Sequence, residues 1–200
     1  MASRHGRLIT IEGIDGAGKT TLAEGIMRAH PTLTLLREPG GVVVSERIRD
    51  LVKDPRLTVD PRAEALLYAA ARAQLVHERL LPLLDAGRDV LLDRFVDSSL
   101  AYQGAGRGLG IAEIAELNRF ATAGVAPDLT LYVRVDPHTG AARRAGADRL
   151  EQAGDAFFSA VVAAYDAIAA QEPARIVVLD GGQPPDDVLA AALRALNVLH

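Results

Sequence analysis

The stretch "RLITIEGIDGAGKTTLAEGI" (7–26) decides the fold. Its first seven residues are an apolar, β-rich run, its centre "GIDGAGKT" (13–20) has the spacing G-x-x-x-x-G-K-T, and helical spacing continues to about His30, where Pro31 stops it. Strand, glycine-rich loop and helix in that order make a phosphate cradle. Gly13, Gly16 and Gly18 let backbone N–H groups turn inward, and the helix N-terminus adds its positive end. Lys19 is expected to reach the β- and γ-phosphates and the Thr20 hydroxyl to ligate Mg²⁺, with Ala17 and Thr21 completing the ATP-binding loop. The motif announces a phosphate and leaves the reaction open. Motors, switches, pumps and small-metabolite kinases all use such a loop.

Outward from this unit, apolar runs alternate with longer helical patterns. Further strands are expected at 33–38, 89–93, 128–135 and 175–180. Helices are expected at 45–54, 60–87, about 97–103, 111–124, about 137–145, 155–171 and 185–199, with "GAGRGLG" (104–110) a loop. The longest helix has Asp60 as N-cap, Pro61 at its first position and Gly87 closing it. Alternation of this kind with continuous apolar strands implies a three-layer α/β fold, a five-stranded parallel sheet covered by helices on both faces. No repeat or long linker divides the chain, so residues 1–200 read as a single domain. The loops "GIDGAGKT", "REPGG" (37–41) and "DRF" (93–95) all follow strand ends, so they converge on the side of the sheet where ligands bind.

The bulk composition narrows the class. A net charge of −4 and a pI of 5.7 argue against nucleic acid as a partner, which normally meets a basic face. No apolar run approaches the ~18 residues a membrane span needs, and "MASRHGR" (1–7) leads straight into a strand without a secretory signal. Zero cysteines exclude disulfides, thiolate metal sites and cysteine nucleophiles, so a soluble cytoplasmic enzyme is expected. The chain has 20 Arg and only 2 Lys, yet one of the two, Lys19, stands in the phosphate loop. A compact ammonium fits between phosphate oxygens where a planar guanidinium is too large.

The remaining motifs bear on the reaction. A guanine-specific switch needs an N-K-x-D element, and the sequence has none. The third strand ends "LLDR": Asp93 suits Mg²⁺ or its water shell, and Arg94 brings positive charge to where an acceptor phosphate can lie. Tyr68 and Arg72, four residues apart, share a helix face; the ring can stack a base and the guanidinium can hold a phosphate. A kinase for UMP, CMP or AMP, or a non-kinase ATP-binding protein, stays open at this point.

The combination of "GIDGAGKTT" (13–21), "REPGG", "LLYAAARAQL" (66–75), "DRFVDSSLAYQG" (93–104), "PDLTLYV" (127–133) and "DRLEQ" (148–152) resembles the thymidylate kinase family over nearly the whole length. The resemblance implies transfer of the ATP γ-phosphoryl group to dTMP, with Mg²⁺, in a homodimer. It implies that Tyr68, where the family usually has Phe, stacks on thymine, that Arg72 grips the monophosphate and base edge, and that Arg94 holds the acceptor phosphate. Glu38 and Pro39 would border the acceptor pocket, Ser99 and Gln103 would lie near the thymine, and Tyr102 would discriminate against a ribose 2′-hydroxyl. Asp15 would accept from the acceptor's 3′-hydroxyl, and Gln183, in "DGGQP" (180–184), would lie against the adenine. Family members with Gly after that acidic residue, as Gly16 is here, bring transition-state charge from a lid. The lid is expected at about 138–152, with Arg143, Arg144 and Arg149 as its arginines and Arg149 the first choice for the migrating phosphoryl.

Overall fold

Five apolar runs become the strands β1 (Leu8–Glu12), β2 (Thr34–Arg37), β3 (Val90–Asp93), β4 (Leu129–Arg134) and β5 (Ile176–Asp180). In the computed structural model, which describes residues 6–143, 149–150 and 153–198, they form one sheet in the order β2-β3-β1-β4-β5 with every pairing parallel. All five residues of β1 are buried, so both faces of the sheet are covered. Alternation sends Ile9 and Ile11 to a large core cluster that includes Leu22 and Ile26 of α1 (Lys19–Ala29) and Ala192 of α9 (Pro185–Asn197). Leu8 joins Val90 and Leu92 in a second cluster under Leu75, Val76 and Leu80. Strand ends and the loops that follow them therefore sit on a rigid central layer.

The long helix begins as α3 (Pro61–Leu75), where the Asp60 side chain accepts from the N–H groups of Arg62 and Ala63. It runs on as a π turn (Val76–Leu80) and α4 (Leu81–Asp85), closed by Gly87 at φ +73°. The Leu81 N–H reaches back five residues to the Val76 carbonyl, just before Pro82, whose ring is incompatible with an ordinary turn over residue 78. A second π segment corrects the expected boundary at 103. After α5 (Val96–Ser99) the chain continues in π form from Leu100 to Gly106, with the Arg107 N–H donating to Tyr102 O at 2.9 Å. A widened turn has no 3.6-residue signature, so the glycines of 104–106 read as loop. The other helices are α2 (Val43–Lys53), α6 (Ile111–Ala121), α7 (Pro137–Arg143) and α8 (Asp155–Gln171). No helix among the described residues is long and apolar enough to cross a membrane.

Candidate active site

The loops after β1, β2 and β3 meet in a cleft of about 490 Å³. Seven basic residues line it (Lys19, Arg37, Arg49, Lys53, Arg72, Arg94 and Arg143) against three acidic ones (Asp15, Glu38 and Asp93). In a chain of net charge −4 this concentration of cations marks the place for polyanionic ligands.

At the phosphate end, Lys19 opens α1 and is 7% exposed, its Nζ donating to Ile14 O at 2.9 Å. Burial, then the charge of Arg94, pushes its ammonium down to about 8, although Asp15, Asp93 and Glu12 oppose the shift. Asp15 is held well below the usual carboxylate range. Its burial pulls the other way, but Arg94 and Lys19 outweigh it. Thr20 and Asp93 both face the cleft, and Asp93 Oδ1 is buried without a hydrogen-bond partner among the described residues. A hydroxyl and an unsatisfied carboxylate oxygen are hard donors that fit Mg²⁺ carried in on phosphate oxygens.

Arg94 ties the two halves of the cleft together. Its backbone lies in the left-handed region at φ +69°, uncommon for a residue with a side chain, and its N–H donates to Ile11 O at 2.9 Å. The guanidinium donates to Gly13 O at 2.9 Å, Ser98 Oγ at 3.1 Å and Asp15 Oδ1 at 2.7 Å, and it lies 5.2 Å over the Tyr102 ring. Tyr102 itself points its hydroxyl at Asp15 Oδ2 across 3.5 Å. Beneath this turn, the fully buried Glu12 accepts from Phe95 N at 2.7 Å, Ser98 Oγ at 2.6 Å and Tyr165 Oη at 2.9 Å.

At the other end of the cleft, Tyr68 is half-buried on the wall and Arg72 is 2% exposed one turn later. Arg72 donates through Nε to Glu38 Oε2 at 2.6 Å, through Nη1 to Ser99 Oγ at 2.9 Å and to Asn118 Oδ1, and through Nη2 to Phe95 O at 2.9 Å. Four of its five N–H donors are thereby engaged, which leaves one for a ligand. Burial pushes Glu38 up to about 7 despite Arg72, and Glu12 adds to the shift; Glu38 Oε1 has no hydrogen-bond partner among the described residues. Ser99 and Gln103 complete this end, and Pro39 closes it with its carbonyl accepting from Arg37 and Arg49.

Comparison with known proteins bears on the family. The family model described as thymidylate kinase matches residues 11–192. The thymidylate kinases of Lactobacillus delbrueckii subsp. bulgaricus and Enterococcus faecalis are each 46% identical, over 96% of this chain and 96% of their own. The crystal structure of thymidylate kinase from Ehrlichia chaffeensis superposes with a TM-score of 0.75 at 30% identity, covering 98% of this chain and 99% of that one. The chain belongs to the thymidylate kinase family. It has the phosphate-loop NTPase architecture of that family, with the five-stranded parallel sheet expected from the alternation of elements.

Against the family's expected roles, the structure gathers Asp15, Gly16, Gly18, Lys19, Thr20 and Thr21 with Glu38, Pro39, Tyr68, Arg72, Asp93, Arg94, Ser99, Tyr102, Gln103 and Arg143 around one cleft. Gly13 lies behind it, accepting from Arg94, and Ala17 is 2% exposed in the loop's wall. Gln183 donates to Asp180 Oδ2 at 2.8 Å within a local turn and does not line the cleft. Arg149 is also outside it. Its Nη2 donates to Glu64 Oε2 at 2.6 Å and its Nε to Val52 O at 3.0 Å, so in this arrangement it is held away from the phosphate loop, contrary to its expected place. Of the three arginines expected in a lid, Arg143 lines the cleft, and Arg144 lies outside the described residues. A side chain at residue 16 (φ +81°) would meet Gly140 O at 2.2 Å, so α7 packs directly on the bare Gly16. The sequence reading missed Glu12, Glu64, Ser98, Asn118 and Arg49. Glu12 had a usable signal, a carboxylate ending a largely apolar strand one residue before the phosphate loop.

Proposed function

We propose that this cleft transfers the γ-phosphoryl group of ATP to dTMP, giving dTDP and ADP. The observation that carries the reading is the Asp15–Arg94 pair, at 2.7 Å. It ties the phosphate loop to the turn after β3 within the cleft that Tyr68, Arg72, Ser99 and Gln103 also line, in a chain matched to a thymidylate kinase over 96% of its length.

In this reading an acceptor-phosphate oxygen forms a bond to the γ-phosphorus while the bond from that phosphorus to the β,γ-bridging oxygen breaks, and ADP leaves with the electron pair. The acceptor's second pKa is about 6, so it is already largely dianionic at pH 7 and needs no general base. Catalysis is then positioning and charge neutralisation. Lys19 takes the β- and γ-phosphates, Arg94 the acceptor phosphate, and Arg143 the equatorial oxygens of the migrating group. The contact of α7 with Gly16 supports Arg143 for that role. Asp15 accepts from the 3′-hydroxyl of the acceptor sugar, and Tyr102 excludes a 2′-hydroxyl. Tyr68 stacks on the base, and the one remaining donor of Arg72 suits a base edge. Thr20 and Asp93 would hold Mg²⁺, directly or through water, and the ion would supply positive charge against the phosphates.

The chain works as a single unit with its lid at about 138–152, in the cytoplasm and as a homodimer. Exposed Val43, Leu66 and Phe120 on α2, α3 and α6, of which α3 packs against both others, support an apolar contact there. ADP release from Mg·ATP, measured across dTMP, UMP, CMP and AMP, tests the assignment. Strong stimulation by dTMP is expected, and its absence overturns the reading.

A further inference from the structure

Glu64 is 0% exposed, sits on α3 beside the acceptor pocket and has no part in the chemistry described above. A buried carboxylate is costly unless its oxygens are satisfied, and these are. Oε1 accepts from Gln103 Nε2 at 2.9 Å and from Arg107 Nε at 3.2 Å, while Oε2 accepts from Arg107 Nη2 at 3.0 Å and Arg149 Nη2 at 2.6 Å. Three donors from two separate parts of the chain meet on one side chain. Two of them are guanidiniums, which can only donate, so Glu64 faces Gln103 as an acceptor.

The consequence falls on Gln103. A primary amide has a donor end and an acceptor end of nearly equal shape, and packing alone does not choose between the two orientations. An acceptor at Glu64 does choose. A flipped amide would set Gln103 Oε1 against the carboxylate, so Nε2 turns to Glu64. Oε1, which takes no hydrogen bond from any described residue, is left for a ligand in the cleft that Gln103 lines. We propose that Glu64 is the positioning residue that fixes the polarity of the Gln103 amide, so that the pocket offers an acceptor and selects a pyrimidine bearing N3–H over one whose N3 is itself an acceptor. This rests on the placement of the base near Gln103 made above. Arg149 ties the same carboxylate to the end of α2 through Val52 O and so helps hold the base-reading amide in place.

The test is the ratio of kcat/KM for dTMP to that for dCMP, in the wild type and in Glu64→Gln and Glu64→Asp. Glutamine matches glutamate in shape but can donate as well as accept, so it releases the Gln103 amide; aspartate is shorter but remains an acceptor. Glu64→Gln is expected to lower the dTMP:dCMP ratio about tenfold or more, mainly through a higher KM for dTMP, whereas Glu64→Asp keeps the ratio within about threefold. A purely packing role predicts the reverse, with Gln harmless and Asp the worse, and that result overturns the proposal. Should both variants fail to fold, the Gln103 side-chain NH₂ of ¹⁵N-labelled wild type decides. One slowly exchanging proton, retained when dTMP is added, is expected; two protons exchanging at the solvent rate contradict it. Wild-type turnover of dTMP tests the functional reading separately, since the orientation of the amide is read without it.

Discussion

At position 19, burial and the charge of Arg94 bring the ammonium down to about 8, so in the free protein it loses its proton just above neutrality. The sign follows directly. The charged form binds phosphates, so deprotonation weakens capture of ATP as pH rises. We expect kcat/KM for ATP to decline above about pH 8 while kcat holds to higher pH, because bound phosphates favour the protonated ammonium. Parallel profiles for kcat and kcat/KM would contradict that account of Lys19. The lid arginines separate at the same scale. Arg143→Ala is expected to reduce kcat by about 10³-fold with little change in KM for dTMP, in keeping with an arginine that meets charge developing in the transition state. Arg149→Ala, which removes a partner of Glu64, is expected to raise KM for dTMP more than it lowers kcat. Steady-state kinetics with each substrate varied distinguishes the two, and an unchanged kcat in Arg143→Ala would return the role to the other lid arginines.

Between elements, the decisive contact is α7 against the phosphate loop. A Cβ on Gly140 would lie 2.6 Å from Ile14 Cδ1 and 3.1 Å from Asp15 O. Gly140→Ala should improve the helix by about 1 kcal/mol in intrinsic propensity. It should nevertheless lower kcat about tenfold by easing Arg143 away from the loop, since sub-ångström misplacement is costly in a positioned reaction. A stability that does not fall together with a lower kcat supports this packing, and an unaltered kcat refutes it. This scale also marks how far the sequence could be read. The strands, the phosphate loop and the Asp60 cap are local signals, and Tyr68 and Arg72 are four residues apart, so all of them stood out. The π segments did not, because i→i−5 bonding leaves no period in composition. Glu12, Glu64 and Asn118 did not either, since each acquires partners 39 to 153 positions away that only folding brings near, such as Gln103 on Glu64, Tyr165 on Glu12 and Arg72 on Asn118. The resemblance chose Arg149 from "DRLE", and a long-range ion pair with Glu64 moved that side chain elsewhere.

For the whole molecule, the exposed apolar side chains of α2, α3 and α6 bear on assembly, with Val43 at 72%, Leu66 at 58% and Phe120 at 86% exposure. Sedimentation equilibrium is expected to give twice the 21.2 kDa chain mass for the wild type and the single mass for Leu66→Glu. A monomeric wild type would contradict the assembly while leaving the cleft's chemistry intact. That chemistry depends on one arrangement, a phosphate loop and an acceptor pocket bridged by Arg94 so that two polyanions meet in line. The most direct measurement follows the transferred group itself, with ATP labelled at the γ-phosphate incubated with dTMP and Mg²⁺. The label is expected in the β-phosphate of dTDP. Label released as inorganic phosphate, or carried to another monophosphate in preference to dTMP, would contradict it.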